Sequence, residues 1–309
     1  MPFPLQSLPY GFRQRLIELS TPAEKCALQR AVPPNFTGFG TTQRYTKLKH
    51  LTYCTNSNGI CRIINVSRLH DNDQIQNLFA RFDKNCVFII YRTVKFKNFK
   101  SRSTPARIFD TFRYRSKKYK FKNCVLYASF LKRLATQMEK PLKEMSFDSC
   151  MIRPSTDAAT VFCNTFKSRL QYLKLINFLP PINNWLKAYS EVDGSALRSF
   201  DVTIGVTELT TIDKDTLVKF MEAQGKNFSL LITLENVTMP AEESLKLLFD
   251  EHFKSYLEFN AFRKYVYVNF NYSYDECFGS FKRFYVLREK RGKEVERVET
   301  PEIPVGFFD

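Results

Sequence analysis

Glycine is scarce in this sequence, with only 10 among 309 residues. Average proteins contain about 7% glycine, so the low count argues against the glycine-rich loops that bind phosphates. Gly38 and Gly40 begin a G-x-G, but no third glycine follows at the spacing of a dinucleotide-binding loop. Neither G-x-S-x-G nor G-K-S/T occurs. The sequence therefore contains no motif of a nucleotide-binding protein or a serine hydrolase.

Histidine is rarer still, with only His50, His70 and His252. No two of them stand at the spacing of metal ligands on a helix, and H-E-x-x-H is absent. The eight cysteines are widely spaced and form no C-x-x-C pair. We expect free thiols that act as small apolar residues in a reducing compartment. We predict no metal, no cofactor and no catalysis by this chain.

The sequence also has no long apolar run and fewer acidic than basic residues. No run approaches the ~18 apolar residues of a membrane span, so we expect no contact with a membrane. Arg13 and Arg15 interrupt any apolar stretch that could serve as a signal peptide. We therefore expect a cytoplasmic and/or nuclear protein. Lys and Arg number 47 against 31 Asp and Glu, and the net charge of +16 favours polyanionic partners.

Short stretches that alternate apolar and polar residues recur along most of the chain. They begin at positions 61, 88, 119, 145, 173, 200, 232 and 265, in steps of 26 to 33 residues. Several carry Asn after the alternating pair, as at Asn123, Asn177 and Asn236, and Ser149 takes that place once. Period-two alternation predicts a short strand at each position.

Apolar residues at helical spacing fill the gaps and predict helices over 75–82, 126–134, 182–189, 217–221 and 245–253. A strand plus a helix every ~20–30 residues resembles the leucine-rich repeat, which implies an α/β fold built as an irregular strand–helix solenoid. Residues 281–299 are typical of a strand–turn–strand unit, a C-terminal β cap on the open end. The alternative is an ordinary mixed α/β domain with parallel crossovers of similar length.

The N-terminal residues predict two short helices. Thr21, Pro22 and Glu24 are suited to the N-cap, first and third positions of the second helix, a capping box with a proline start. The first helix carries an apolar stripe, formed by Phe12, Leu16, Ile17 and Leu19. Pro33 and Pro34 then stop the second helix.

This segment resembles the F-box. Leu8 and Pro9 match the family's opening pair, and Pro22 matches the proline between its first two helices, although the closing Arg/Lys-x-Trp is absent. The resemblance, to F-box proteins of the nematode type, implies an F-box module over 1–40 and a leucine-rich-repeat-like associated domain over 41–309. It implies that the module docks on a Skp-type adaptor of a cullin–RING ubiquitin ligase, while the associated domain binds a protein substrate. The implied adaptor contacts are Leu8, Pro9, Phe12, Leu16, Ile17, Pro22 and Leu28. The alternative is that the helices only cap the first repeat and bury Leu16 and Ile17.

Residues 92–122 contain twelve Lys or Arg and one acid, Asp110. Aromatic residues interleave with the cations, so a single-stranded nucleic acid is one predicted partner, with phosphates neutralised and bases stacked. The alternative is a set of strands with a buried aromatic face and a solvated cationic face, which an acidic protein could also use. The candidate contacts are Lys95, Lys97, Lys100, Arg102, Arg113, Arg115, Lys117 and Lys118.

Overall fold

A computed structural model describes residues 7–20, 22–32, 44–55, 61–68, 86–100, 109, 112–138, 142–154, 156–192, 194–235, 241–249, 251–257, 264–274 and 277–288. Two helices come first, α1 (Tyr10–Leu19) and α2 (Pro22–Ala31). Pro22 is the first residue of α2, as the sequence predicts, because a missing N–H costs little there. Helix α2 lies beside the third strand of the chain.

One twelve-stranded, mostly parallel sheet forms the centre of the protein. Eight of its strands run parallel and neighbour one another in chain order: β1 (Arg44–Thr55), β3 (Cys86–Lys97), β5 (Lys118–Lys122), β7 (Glu144–Asp148), β9 (Tyr172–Ile176), β10 (Ser199–Gly205), β11 (Ser229–Glu235) and β13 (Tyr265–Tyr274). The predicted α/β class with successive parallel strands is therefore confirmed.

Antiparallel strands extend both ends of this parallel set. At one end β2 (Cys61–Arg68) pairs with β1, and at the other β14 (Cys277–Leu287) pairs with both β13 and β12 (Phe253–Tyr256). The short strand β4 (Phe112–Tyr114) pairs with the first half of β3. Two further strands, β6 (Val125–Tyr127) and β8 (Met151–Arg153), form a separate pair.

The six described helices that follow β6 pack against one face of the sheet. They are α3 (Ala128–Gln137), α4 (Ala158–Phe166), α5 (Ile182–Ser190), α6 (Val206–Thr210), α7 (Lys214–Ala223) and α8 (Ala241–Phe249). The alternation within β5 shows the division, because Tyr119 and Phe121 are buried whereas Lys118, Lys120 and Lys122 are exposed. We call the side with the lysines the open face and the side with the aromatic rings the core face.

A column of stacked rings runs across the core face of four neighbouring strands. The ring of Phe96 lies 5.1 Å from that of Tyr53 and 5.0 Å from that of Phe121, and Phe121 lies 4.9 Å from Phe147. In register with this column, the later strands contribute the aliphatic side chains of Leu175, Val202, Ile232 and Val268. The stacked rings help to hold these four strands in register. The charged side chains of the same strands lie on the opposite, open face.

The Asn that recurs in the repeated stretches lies just after the end of a strand and not within it. Asn98, Asn123, Ser149 and Asn177 directly follow β3, β5, β7 and β9, and all have φ between 46° and 53°. The backbone N–H groups of the first three donate to the last residue of the next strand, as Asn123 does to the Asp148 carbonyl at 2.8 Å. Asn tolerates this left-handed conformation better than most residues, so it ends the strand where many proteins would use Gly.

Some predicted elements differ in detail. The stretch at 61 is the antiparallel β2, whereas β1, which the repeat pattern missed, is the first parallel strand. Leu126 lies in β6 and Phe253 in β12, outside the helices to which their spacing assigned them, because each side chain is buried in a short strand. Helix α4 was not predicted. The predicted helix over 75–82 lies outside the described residues, as does most of the 281–299 cap, of which residues up to 287 belong to β14.

Candidate anion-binding site

Side chains of the open face line up in rows across the strands, because the parallel pairings are in register. The second residue of one such row is Lys95 on β3, which pairs with Lys120 on β5. Farther along the same row, Lys174 on β9 pairs with Asp201 on β10. From β1 to β10 the row reads Thr52, Lys95, Lys120, Ser146, Lys174 and Asp201. Like charges are thus neighbours at β3 and β5, whereas opposite charges are neighbours at β9 and β10.

Cross-strand ion pairs neutralise several lysines of the open face between β5 and β10. The Lys174 ammonium lies 2.7 Å from the Asp201 carboxylate. Lys118 pairs with Glu144 at 2.7 Å, and Lys122 pairs with Asp148 at 3.0 Å. Among the described residues, by contrast, neither Lys95 nor Lys120 has an acidic side chain within ion-pair distance.

An open groove of about 530 Å³ lies at this end of the sheet. We call it the basic groove; it is lined by His50, Tyr91, Arg92, Thr93, Lys95, Lys117, Lys118, Lys120 and Lys143. None of these nine described residues is acidic, and six of them carry a full positive charge. Directly adjacent like charges destabilise a sheet, so this arrangement works against folding unless an anion binds there.

A β-bulge shapes the groove. The pairing of β1 with β3 shifts by one residue between Leu48, opposite Ile90, and His50, opposite Thr93. Tyr91 and Arg92 together therefore stand opposite Lys49 alone, and both line the groove. Bulges bend a strand and re-aim its side chains, which brings the Arg92 guanidinium to the same opening as the lysines.

Ser116 fastens the bulge to β5. Its side chain is buried, and its hydroxyl donates to the Arg92 carbonyl at 2.6 Å and accepts from the Lys118 N–H at 3.3 Å. Ser116 lies at the point where the strand that pairs with β3 changes from β4 to β5. The backbone of two groove residues is therefore fixed by one buried hydroxyl.

Backbone hydrogen bonds position the two lysines that precede β5 and β7. The Lys117 carbonyl accepts from the N–H groups of Lys143 and Glu144, both at 2.9 Å. The Lys143 carbonyl in turn accepts from the Tyr172 N–H at 2.8 Å, and the Lys143 ammonium lies 5.7 Å from the centre of the Tyr172 ring. The entry points of successive strands therefore place Lys117 and Lys143 side by side.

His50 reports the electrostatic character of the groove. Partial burial lowers the pKa of its imidazole below the usual 6.5, and the positive charges of Lys95, Arg92 and Lys49 lower it further. The field in the groove thus opposes any added positive charge. The same field favours a bound negative charge.

The structure brings together only part of the basic set predicted from the sequence. Lys95, Lys117 and Lys118 line the groove, and Lys97 follows Lys95 on the same face of β3. The predicted residues that do not line it are Lys97, Lys100, Arg113 and Arg115, while Arg102 lies outside the described residues. Arg92 and Lys120 belong to the basic stretch but were not among its predicted contacts. Sequence reasoning missed His50 and Lys143 because sheet pairing, rather than proximity in sequence, brings them there.

The aromatic residues of the same stretch do not face this groove. Phe96, Phe99, Tyr119 and Phe121 are all almost fully buried, and so are Phe109, Phe112 and Tyr114. These rings pack on the core face and therefore cannot stack on nucleic-acid bases, which the single-strand hypothesis requires. The observed arrangement is the alternative one, with buried aromatic side chains and solvated cations.

The residues implied as adaptor contacts lie on or beside the two N-terminal helices. Phe12 is exposed on α1, and Pro9 is the exposed residue just before that helix. Leu16 and Ile17 are half-buried, so neither belongs to the buried core that pure capping would require. Leu8 and Leu28 are also half-buried, and Pro22 opens α2.

No described helix is long and apolar enough to cross a membrane. Across the described parts of the chain, His, Cys, Asp and Glu side chains form no group of three or more that could hold a metal ion. Cys124, Cys150 and Cys163 are free and buried, in agreement with thiols that act as apolar residues. No family model matches this chain, and no curated protein matches it either.

Proposed function

We propose that this chain is the substrate-recognition subunit of a Skp–cullin–F-box ubiquitin ligase. One observation carries the proposal: α1 buries none of its residues and exposes Tyr10, Phe12 and Leu19 by 53%, 67% and 70%. Phe12 and Leu19 are seven residues apart and therefore lie on the same side of this short, solvent-facing helix, which is typical of a surface that docks on another protein. The Leu8–Pro9 opening and Pro22 between the helices match the F-box order.

The sheet domain suits the second half of this function. Parallel strands joined by helices follow one another in chain order, which supports an irregular array of the leucine-rich-repeat kind. In such an array each unit buries its apolar side against its neighbours, and one face of the sheet stays available to a partner. The open face is that available surface here.

The mechanism is one of proximity. The N-terminal helices attach the chain to the adaptor and cullin, and the open face holds a protein substrate near the activated ubiquitin carrier. The chain itself performs no chemistry and uses no cofactor, since ubiquitin transfer belongs to the partner subunits. This function places the protein in the cytoplasm and/or the nucleus.

A capture experiment with a purified Skp-type adaptor tests the proposal. Phe12→Asp adds a charge to the exposed side of α1, and Leu247→Asp adds the same charge at an equally exposed leucine on α8. We expect wild type and Leu247→Asp to retain the adaptor and Phe12→Asp to lose it, with unchanged circular dichroism. Adaptor capture that is absent in wild type, or equal in all three proteins, would contradict the proposal.

A further inference from the structure

We infer that the basic groove binds an anionic segment of the protein substrate, in which glutamate, aspartate or phosphorylated side chains supply the negative charge. The inference rests on the proposed function and adds the chemical class of substrate to it. The groove collects six cations from β3, β5 and the residues that precede β5 and β7, with no acid among its described lining residues.

The arrangement of cations identifies the face on which the segment lies. Lys95 and Lys120 are cross-strand neighbours on the open face, and no described acid is close enough to form an ion pair with either. Three other lysines on this face do have acidic cross-strand partners: Lys118, which also lines the groove, and Lys122 and Lys174, which do not. The unneutralised positive charge on this face is thus concentrated at Lys95 and Lys120, where an anionic ligand would complement it.

The size of the groove suits an extended peptide. Four neighbouring strands, from β1 to β7, span roughly 15 Å, which about five extended residues can cross. Arg92 offers a fork of N–H donors for a carboxylate or phosphate, and the lysines offer single ammonium groups. Among the described lining residues only Tyr91 carries a ring on which a base could stack, so a peptide fits this groove better than a single-stranded nucleic acid, which needs several such rings.

Fluorescence anisotropy with labelled probes tests the inference on the full chain. The probes are a peptide with a core of about five glutamates, the same peptide with phosphoserines, a glutamine peptide, and an oligothymidylate of equal charge. The groove variant is Lys95→Gln with Lys120→Gln. The matched control is Lys132→Gln with Lys187→Gln, which removes the same charge from exposed positions on α3 and α5.

We expect the groove variant to bind the anionic peptides about tenfold more weakly than wild type, since two solvent-exposed ion pairs are lost, and the control to bind as wild type does. Tighter binding of the glutamate or the phosphoserine peptide identifies the source of the charge. Equal losses in both variants, no binding of either anionic peptide, or tighter binding of oligothymidylate would overturn the inference.

Two cross-checks separate this inference from the proposed function. Phe12→Asp leaves peptide binding unchanged if the groove acts on its own, and the groove variant still captures the adaptor. Loss of adaptor capture with intact peptide binding therefore concerns the helices alone, whereas loss of peptide binding with intact adaptor capture concerns the groove alone.

Discussion

Two regions of the sheet use the same register positions for different purposes. At β3–β5, toward one edge, rings stack on the core face while Lys95 and Lys120 stand side by side on the open face. At β9–β10, in the middle of the sheet, aliphatic side chains fill the core row and Lys174 pairs with Asp201. The comparison shows that the same register position holds an ion pair in one region and two neighbouring like charges in the other, and the proposed anionic segment would complement the latter.

The largest predicted effect concerns the stacked column beneath the basic groove. Phe121→Ala should lower the free energy of unfolding by about 3–5 kcal/mol, because the side chain is fully buried and contacts rings on both sides. Urea unfolding measures this value. A double-mutant cycle with Phe96→Ala should give a coupling of about 0.5–1.5 kcal/mol.

The matched comparison is a double-mutant cycle of Leu175→Ala and Val202→Ala in the middle of the sheet. Leu175 and Val202 occupy the column's register positions on β9 and β10 but lack rings. Their coupling should be smaller than that of Phe96 with Phe121. Equal coupling in both regions would show that ring stacking does not distinguish the two parts of the core.

An intermediate change in the free energy of unfolding is predicted for substitutions in the turn after β7. Ser149 has φ of 53° in the position that Asn occupies after β3, β5 and β9. Ser149→Val should destabilise the fold by about 1–2 kcal/mol, since a β-branched side chain is strained there, and Ser149→Gly should stabilise it by about 0.5 kcal/mol. Thermal unfolding distinguishes the two signs, and destabilisation by Gly would contradict this reading of the turn.

Opposite, smaller effects are predicted for two exposed lysines in one row. Lys120→Thr removes like-charge repulsion and adds a residue that suits strands, so it should stabilise the fold by about 0.5 kcal/mol. Lys174→Thr breaks the pair with Asp201 and should destabilise it by a similar amount. Urea unfolding of both variants at low salt is the measurement. Changes of the same sign in the free energy of unfolding would contradict the electrostatic difference between β3–β5 and β9–β10.

The sequence predicts the strands of this array well but not its edges or its site. Alternation locates β5, β7 and β9 because each has one buried and one solvated face. It misses β1 as the first parallel strand, since Tyr45 to Leu51 lack the repeat's terminal Asn. The basic groove escapes prediction because a bulge and pairing between distant strands assemble it, and neither leaves a local signal in sequence.

The pH dependence of stability should reflect His50. Its pKa is lowered in the folded state, so the unfolded chain binds the proton more readily, and His50 costs stability as the pH falls below about 6.5. Lys95→Gln should raise the pKa of His50 because it removes one of the charges that lower it, the others being Arg92 and Lys49. An NMR titration of the imidazole measures this change. If the pKa of His50 is unchanged or lower in Lys95→Gln, Lys95 does not lie close enough to His50 to affect it.

The position of a bound anionic peptide is most directly measured by the same titration with the glutamate peptide present. A peptide in the basic groove adds negative charge beside His50, so the pKa of His50 should rise and binding should tighten as the pH falls through the range in which His50 takes up its proton. The resonances of His252 should be the same with and without the peptide. An unchanged pKa of His50 while the peptide is bound, or equal changes at His50 and His252, would contradict a binding site at the β3–β5 end.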